Sequence, residues 1–306
     1  MTSLHVWSSA RFSFTVPEGH RFIAGASEML EDAVTRSGVI PATSIHVADR
    51  VNVADLLRVH TADYVRRFTG GELSTGEIRT LGLPWSPGLV ERSYRSTGAT
   101  LSAARAALSH GIAMNLGGGT HHAFPDHGEG FCAFNDVAVA IRAMQTAGQI
   151  SRAIVIDLDV HQGNGTNAIF AGDDRVFTLN FHGRNNFPFE RVRGDLDIDF
   201  ADGTQDEEYL ATLRRLLPDA LDAGFDIAFY IAGADPHSAD RLGRLAMTFD
   251  GLAQRDAFVM DACCDAGIPL CVMTGGGYGA RSEDSTRIHL ATVHAAAASI
   301  VKCNPA

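Results

Sequence analysis

The chain has 306 residues, of which 45% are hydrophobic and 20% charged, as in an ordinary globular protein. Its net charge of -11 argues against binding nucleic acid or anionic lipid through a basic patch, and mildly favours a cationic partner such as a lysine-rich peptide or a polyamine. No apolar stretch reaches the roughly 18–20 residues that span a membrane, and residues 1–7 lack the build of a signal peptide.

Short apolar runs alternate along the chain with segments of helical spacing, and the runs lack the polar alternation of half-exposed strands. In chain order we predict a strand at 112–116, a helix at 133–147, strands at 153–159 and 175–181, a helix at 204–223, a strand at 226–234, a helix at 250–266 and a strand at 269–274. Strands that alternate with helices form βαβ units around a parallel sheet. Because no linker divides the chain, residues 1–306 are predicted to form one α/β domain.

The five cysteines form no CxxC pair, and their odd, sparse count predicts no disulfide framework. They are Cys132, Cys263, Cys264, Cys271 and Cys303. The expected setting is therefore reduced and cytoplasmic.

Polar or glycine-rich sequence stands at the ends of four predicted strands, at residues 115–119, 157–161, 232–235 and 274–278. In open α/β sheets, ligands bind at the carboxyl ends of the strands. These four segments are therefore predicted to meet at one edge of the sheet and to form the functional site there.

Asp157, Asp159 and His161 alternate along the end of a predicted strand, so they share a face if the extended geometry persists. Such a cluster is costly to bury unless a cation or hydrogen bonds compensate, and the alternative is a polar strand end that opens into solvent. Asp235, at the end of another apolar strand, favours a metal site. Asp and His ligands with an open position are typical of catalytic zinc. Gly163 stands where a DxHxD two-metal motif has a further aspartate, which favours one metal ion.

His121 and His122 follow a glycine run after a predicted strand, whereas an isolated histidine pair is more often a solvated loop feature. Histidine can take a proton from water and return it to a leaving amine near neutral pH. Tyr278 follows three glycines and can donate a hydrogen bond to an oxyanion, although a tyrosine in this context is usually a loop residue. Phe131 and Phe187 are core residues or loop residues beside the site, and their loop-like neighbours favour the second interpretation. The same holds for Leu242.

Several motifs occur in order over nearly the whole chain. They are GGGTHHA at 117–123, GFCAFND at 130–136, DLDVHQGNG at 157–165, GAD at 233–235, DRLG at 240–243 and GGGY at 275–278. LLRVH at 56–60, with Tyr64 and Val65, also fits. With these motifs the chain resembles the histone deacetylases of the arginase–deacetylase superfamily. Residues 240–245 and 250–256 are most similar to class IV and its bacterial relatives, and the short chain agrees with that branch.

The resemblance implies an arginase–deacetylase fold, with a central parallel sheet flanked by helices on both faces. It also implies one zinc ion on Asp159, His161 and Asp235. The implied catalytic residues are His121, His122, Tyr278, Asp157 and Asn164. The implied substrate channel is formed by Gly130, Phe131, Phe187, Leu242, Gly276 and Gly277. The implied potassium ligands are Asp157, Asp159, the His161 carbonyl, Asn180 and Phe181.

Two residues depart from the class I pattern. Asn164 replaces the aspartate that partners the second histidine, so His122 is expected to be less basic than His121. Asn180 replaces a serine of the potassium site.

The implied reaction is zinc-dependent hydrolysis of N-acyl-lysine, carrying acetyl or longer acyl groups, in proteins or peptides. A small acylated amine, as in the acetylpolyamine amidohydrolases, is the alternative substrate. An arginase-like ureohydrolase is disfavoured by the missing second-metal aspartate. A catalytically silent acyl-lysine-binding module is disfavoured by the intact His121, His122 and Tyr278.

Overall fold

A computed structural model describes residues 3–279 and 281–303, and within these ranges eight strands form one sheet in which every pair is parallel. The strands are β1 (His5–Ser8), β2 (Ile45–Val47), β3 (Ile112–Asn115), β4 (Ala153–Asp157), β5 (Val176–Gly183), β6 (Leu196–Phe200), β7 (Ile227–Ile231) and β8 (Leu270–Met273). Their spatial order is β2-β1-β3-β8-β7-β4-β5-β6. The predicted α/β class and the parallel sheet are confirmed.

Helices cover the sheet. They are α1 (Ala26–Ser37), α2 (Val53–Leu56), α3 (Ala62–Gly70), α4 (Thr75–Leu81), α5 (Pro87–His110), α6 (Asp136–Thr146), α7 (Asn164–Phe170), α8 (Asp206–Leu221), α9 (Phe249–Asp265) and α10 (Ser282–Cys303), with a 3₁₀ helix at Ala42–Ser44. Two hydrophobic clusters fill the spaces between sheet and helices. Alternate residues of the same strand enter different clusters, as Ile154 and Val155 of β4 do. Since successive strand side chains point to opposite faces, the sheet is buried on both sides.

The four central strands β3, β8, β7 and β4 are buried at every position, which explains why each was predicted as a continuous apolar run. The predicted strand at 153–159 was too long, because the ladder ends at Asp157 and residues 159–161 form a bend. Asp159 and His161 therefore leave the sheet on a turning chain, and the extended geometry does not persist through the motif.

The beginnings of two helices follow from capping. The Asn135 side chain accepts a hydrogen bond from the Ala138 N–H, so α6 begins at Asp136 and not at the predicted residue 133. The Thr248 hydroxyl accepts from the Gly251 N–H and starts α9.

The ends of α9 and α10 lie side by side, because these two helices pack against each other along their length. This packing brings the sulfur atoms of Cys264 and Cys303 to bonding distance, a disulfide pairing that the sparse cysteine count did not predict. Cys132, Cys263 and Cys271 are buried and free.

Within the described ranges, no helix combines the length and the apolar character needed to cross a bilayer. Residues 1, 2, 280 and 304–306 lie outside the described residues. All of them belong to the predicted single domain over 1–306, and the first two also belong to the segment 1–7, for which no signal peptide was predicted.

Candidate active site

The four strand ends that carry polar or glycine-rich sequence belong to β3, β8, β7 and β4, which are neighbours in the sheet. Because all four strands are parallel, their carboxyl ends share one edge, and the loops that follow them meet there. The four segments therefore meet at one edge, as predicted, because their strands are neighbours in the sheet.

Asp159, His161 and Asp235 form the cluster at the centre of this edge, with one ligand atom from each within 4.8 Å of the others. His161 Nδ1 lies 2.9 Å from Asp159 Oδ1 and 3.1 Å from Asp235 Oδ2. Ligands of a tetrahedral zinc ion at its usual bond lengths stand about 3.3 Å apart, so the three residues fit one ion with little adjustment.

Two glycines leave room for this cluster. A Cβ at Gly233 would lie 2.8 Å from both Asp159 Oδ2 and Asp235 Oδ1, and a Cβ at Gly276 would lie 2.7 Å from Asp159 Oδ2. The Gly276 N–H also donates to Asp159 Oδ2, at 2.8 Å. The predicted channel residue Gly276 therefore also supports a predicted metal ligand.

The electrostatics of the cluster favour a bound cation. Burial raises the pKa of Asp235 to about 7, and the charge of Asp159 adds to that shift. Burial alone would lower the pKa of His161, but hydrogen bonds to Asp159 and Asp235 raise it to about 10. Asp235 and His161 each hold a proton strongly in this buried site, and a bound cation can take the place of those protons.

The tandem histidines have different partners. Their rings lie 4.1 Å apart; His121 Nδ1 is 2.6 Å from Asp157 Oδ2, and His122 Nδ1 is 2.7 Å from Asn164 Oδ1. An amide oxygen only accepts hydrogen bonds, so His122 carries its proton on Nδ1 and presents an unprotonated Nε2. Asn164 Nδ2 donates to Glu129 Oε1 at 3.4 Å, which fixes the orientation of the amide.

These partners separate the two histidines in basicity. Burial lowers the pKa of His121, but the charges of Asp157 and Asp159 outweigh burial and raise it to about 9. Burial and the charges of His121 and His161 hold the pKa of His122 well below its usual value. His122 is thus neutral and His121 cationic at neutral pH, in the direction expected from Asn164.

Tyr278 stands across the site, with its ring centroid 6.4 Å from that of His161. Burial and the charges of Asp159 and Asp235 hold its pKa well above the usual value, so the phenol stays protonated as a donor. Its backbone N–H donates to Asp240 Oδ2 at 2.6 Å, and its carbonyl accepts from Arg241 Nε at 3.0 Å.

Aromatic side chains wall the approach to the cluster. The Phe187 ring meets His122 edge-on at 5.0 Å, and Phe131 lies 5.7 Å from Tyr278. Gly130 has a φ of 54°, and a Cβ there would lie 2.7 Å from His122 Cδ2. Leu242 is tied to the Phe187 loop because Asn186 Nδ2 donates to the Leu242 carbonyl at 2.6 Å.

The predicted potassium residues lie beside the cluster, where Asp157 is paired with Asn180 across β4 and β5. Asn180 Oδ1 accepts the Gly163 N–H at 3.2 Å, and its Nδ2 donates to Asn167 Oδ1 at 3.1 Å. Phe181 follows in the same strand and is fully buried.

Sequence reasoning gave no role to Asp136, although it lies in the GFCAFND motif. Its carboxylate accepts the N–H groups of Gly119 and Thr120, at 3.0 and 2.8 Å, and the hydroxyls of Thr120 and Thr100, at 2.7 and 2.5 Å. It therefore fixes the loop that leads to the tandem histidines. An acidic residue directly after a capping asparagine is the signal that could have found it.

A cavity of ≈ 180 Å³ adjoins the site. Its lining includes Phe131, Gly276 and Tyr278 at the site, and Leu30 and Arg92 farther away.

The histone deacetylase domain profile matches residues 20–294 of the chain. The chain belongs to the histone deacetylase family. It is 42% identical over 275 residues to an uncharacterized protein of Picosynechococcus sp., which covers 90% of this chain and 92% of that protein. It is 30% identical to a histone deacetylase-like amidohydrolase of Pseudomonas aeruginosa, over 85% of this chain and 73% of the relative. It is 34% identical to histone deacetylase 2 of Arabidopsis thaliana, over 73% of this chain and 60% of the relative.

Solved structures of HDAC homologues share the fold. One complexed with SAHA has a TM-score of 0.79 and 24% identity, over 94% of this chain and 84% of the other. One from Aquifex aeolicus has a TM-score of 0.81 and 21% identity, over 97% and 84%. The predicted arginase–deacetylase fold is confirmed, and the chain is a hydrolase of this family.

Proposed function

We propose that the chain hydrolyses N-acyl-lysine in proteins or peptides with one zinc ion held by Asp159, His161 and Asp235. The observation that carries this proposal is the buried ligand cluster beside two histidines, one bonded to a carboxylate and the other to an amide. When bound, zinc supplies a Lewis acid that polarises the amide carbonyl and lowers the pKa of a water to about 7.

The chain's own residues supply the proton transfers. Neutral His122 takes the proton of the attacking water at Nε2, because its Nδ1 proton is held by Asn164. Cationic His121, paired with Asp157, stabilises the negative charge that develops. The protonated Tyr278 phenol donates to the oxyanion, and the histidine pair returns a proton to the departing amine.

The channel supports a lysine side chain as the group that enters. Phe131 and Phe187 offer apolar walls to a methylene chain, and Phe187 contacts Phe189, which is 85% exposed. An exposed aromatic at the mouth suits the peptide that flanks an acyl-lysine. The cavity beside Tyr278 leaves room for acyl groups longer than acetyl. A small acylated amine, such as an acetylpolyamine, is the second candidate, because the same reacting groups would serve it.

We also propose a potassium ion held by Asp157, Asp159, the His161 carbonyl, Asn180 and Phe181. The support is the pairing of Asp157 with Asn180 and the adjacent backbone of β5. The single domain, the cytoplasmic location, and the lack of nucleic-acid and membrane partners stay predictions.

Metal analysis of the purified protein tests the centre: about one zinc per chain is expected, whereas two manganese ions per chain would overturn the assignment. Tyr278→Phe should lower kcat on the order of 10²- to 10³-fold, with fold and zinc content retained, because one oxyanion donor is lost. His122→Ala should abolish turnover under the same conditions. Full activity in either variant contradicts the proposed role of the residue it replaces.

Acyl-lysine peptides, from acetyl to myristoyl, should be compared with acetylated polyamines by kcat/KM. Higher kcat/KM for a peptide supports the protein substrate, and higher kcat/KM for a polyamine favours the second candidate.

A further inference from the structure

Arg255 of α9 is a fully buried arginine that the proposed reaction does not use. Its relative exposure is 0%, and it is the largest of the fully buried side chains among the described residues. A buried charge is costly unless it is paired and hydrogen-bonded, so its contacts indicate what it does.

One side of the guanidinium is neutralised by the next residue. Arg255 Nε and Nη2 lie 2.9 and 2.8 Å from Asp256 Oδ1. Asp256 also accepts the hydroxyls of Tyr230, at 2.5 Å, and Thr292, at 2.6 Å. The pair is neutral overall and anchored to β7 and α10, so Arg255 does not act as an unpaired positive charge near the metal cluster.

The other side of the guanidinium reaches the two chain segments that carry the metal ligands. Arg255 Nη1 donates to the Gly233 carbonyl at 2.8 Å and lies 3.3 Å from the Leu158 carbonyl. Leu158 immediately precedes Asp159, and Gly233 stands two residues before Asp235. One nitrogen therefore bridges the backbone beside both carboxylate ligands.

The regular strand pairing of the sheet ends before it reaches the two ligands. The ladder between β4 and β7 ends at the pair Asp157 and Ile231, and the Leu158 N–H makes a last bond to the Ile231 carbonyl. Beyond that point regular pairing stops and both chains turn, although the Val160 N–H still donates to Asp235 Oδ1 at 2.9 Å. Arg255 links the two chains where strand pairing has stopped.

We propose that Arg255, held by Asp256, is a positioning residue that sets the spacing between Asp159 and Asp235 and so tunes zinc affinity. This inference rests on the proposed zinc site. Mutation of residues that hydrogen-bond to the metal ligands and orient them typically lowers metal affinity or activity about 10- to 100-fold. The effect runs through two carbonyl hydrogen bonds, so it should appear in metal binding before it appears in global stability.

The test is the double substitution Arg255→Leu with Asp256→Leu, which removes both charges together and leaves neither one unpaired. Replacing a buried ion pair by apolar residues is often neutral or stabilising, so the variant is expected to fold. Competition with a chromophoric chelator should show zinc bound about 10- to 100-fold more weakly than by the unmodified protein. The metal-free Tm should fall modestly, because the Tyr230 and Thr292 hydroxyls lose their acceptor.

Arg255→Lys provides a second variant that keeps the charge beside Asp256. An ammonium lacks the planar fork that serves the aspartate and the carbonyls together, so zinc affinity should again fall about tenfold or more. The zinc affinity of this variant is measured in the same chelator assay. If the double variant does not fold, the result for Arg255→Lys tests the proposal by itself.

Val259→Ala is the matched control, because Val259 is fully buried one turn along the same helix and should affect only stability. It should lower Tm and leave zinc affinity unchanged. Wild-type zinc affinity in a folded double variant, or in Arg255→Lys, overturns the inference, as does equal weakening in Val259→Ala. Failure of the unmodified protein to bind zinc would instead overturn the proposed function.

Discussion

The residue at position 164 contacts His122, the proposed general base, and so influences the pH below which that base becomes protonated. The chain contains its own comparison, because His121 makes the same Nδ1 contact with the carboxylate of Asp157, at 2.6 Å as against 2.7 Å. The pKa of His121 is raised to about 9, whereas that of His122 is held well below the usual value. Asn164→Asp should therefore raise the pKa of His122.

An opposite charge at this distance shifts a pKa by about 1–3 units, which corresponds to about 1.4–4 kcal/mol in favour of the imidazolium. A general base works in its neutral form, so the rate falls as the pH drops through its pKa. A higher pKa moves the acidic limb of the kcat/KM profile upward by the same 1–3 units. Initial rates on one acyl-lysine peptide across the pH range, with zinc content measured at each pH, give the shift.

The introduced carboxylate would face Glu129, whose Oε1 accepts from Asn164 Nδ2 at 3.4 Å. The negative charge of Glu129 also favours the imidazolium form of His122, so adding Glu129→Gln to Asn164→Asp should reduce the shift. If the acidic limb stays in place, or moves down, in a variant that keeps its fold and zinc, then His122 is not the base that sets it.

Two further perturbations follow from the geometry. Gly276→Ala places a Cβ 2.7 Å from Asp159 Oδ2, so zinc content should fall while the circular dichroism spectrum is retained; undiminished zinc would contradict the cluster geometry. Burial lowers the pKa of His60 from 6.5 to about 4, so the unfolded chain binds a proton that the folded chain refuses between those values. The free energy of unfolding should therefore fall as the pH drops through that window, by about 2 kcal/mol at pH 5 for this residue. In denaturant melts, the free energy of unfolding of His60→Asn should fall less over this pH window than that of the unmodified protein. An equal fall in both proteins would show that His60 is not the group responsible.

The sequence alone predicted the central strands well and the edge strands poorly. β3, β4, β7 and β8 are buried on both faces, and a doubly buried strand leaves an uninterrupted apolar run. β2 and β6 lie at the edges and are only partly buried, so their short, mixed segments resemble loops. A strand that is buried on both faces can thus be predicted from its apolar run, whereas a partly buried edge strand cannot.

The residues of the candidate site can be named from the sequence, because their types and order along the chain carry the family resemblance. Asp159, His161, Asp235, His121 and His122 do lie together at one edge. Their local conformation was not predictable from alternation, since the strand ends at Asp157 and the chain bends before Asp159. Class IV membership stays a prediction from the motifs.

The sequence by itself determined the fold class, the family and the chemistry-bearing residue types, because these depend on local apolar runs and on motifs that are contiguous in the chain. Only the tertiary structure decided the partners that hold those residues. Asp136 accepts a hydrogen bond from the loop before His121, and Arg255 joins the segments that carry Asp159 and Asp235. Arg255 is 97 residues from Leu158 in the chain, and an arginine within a helix normally indicates a solvated face. Long-range packing buried it behind the cluster, and no local pattern records which distant carbonyls a side chain will meet.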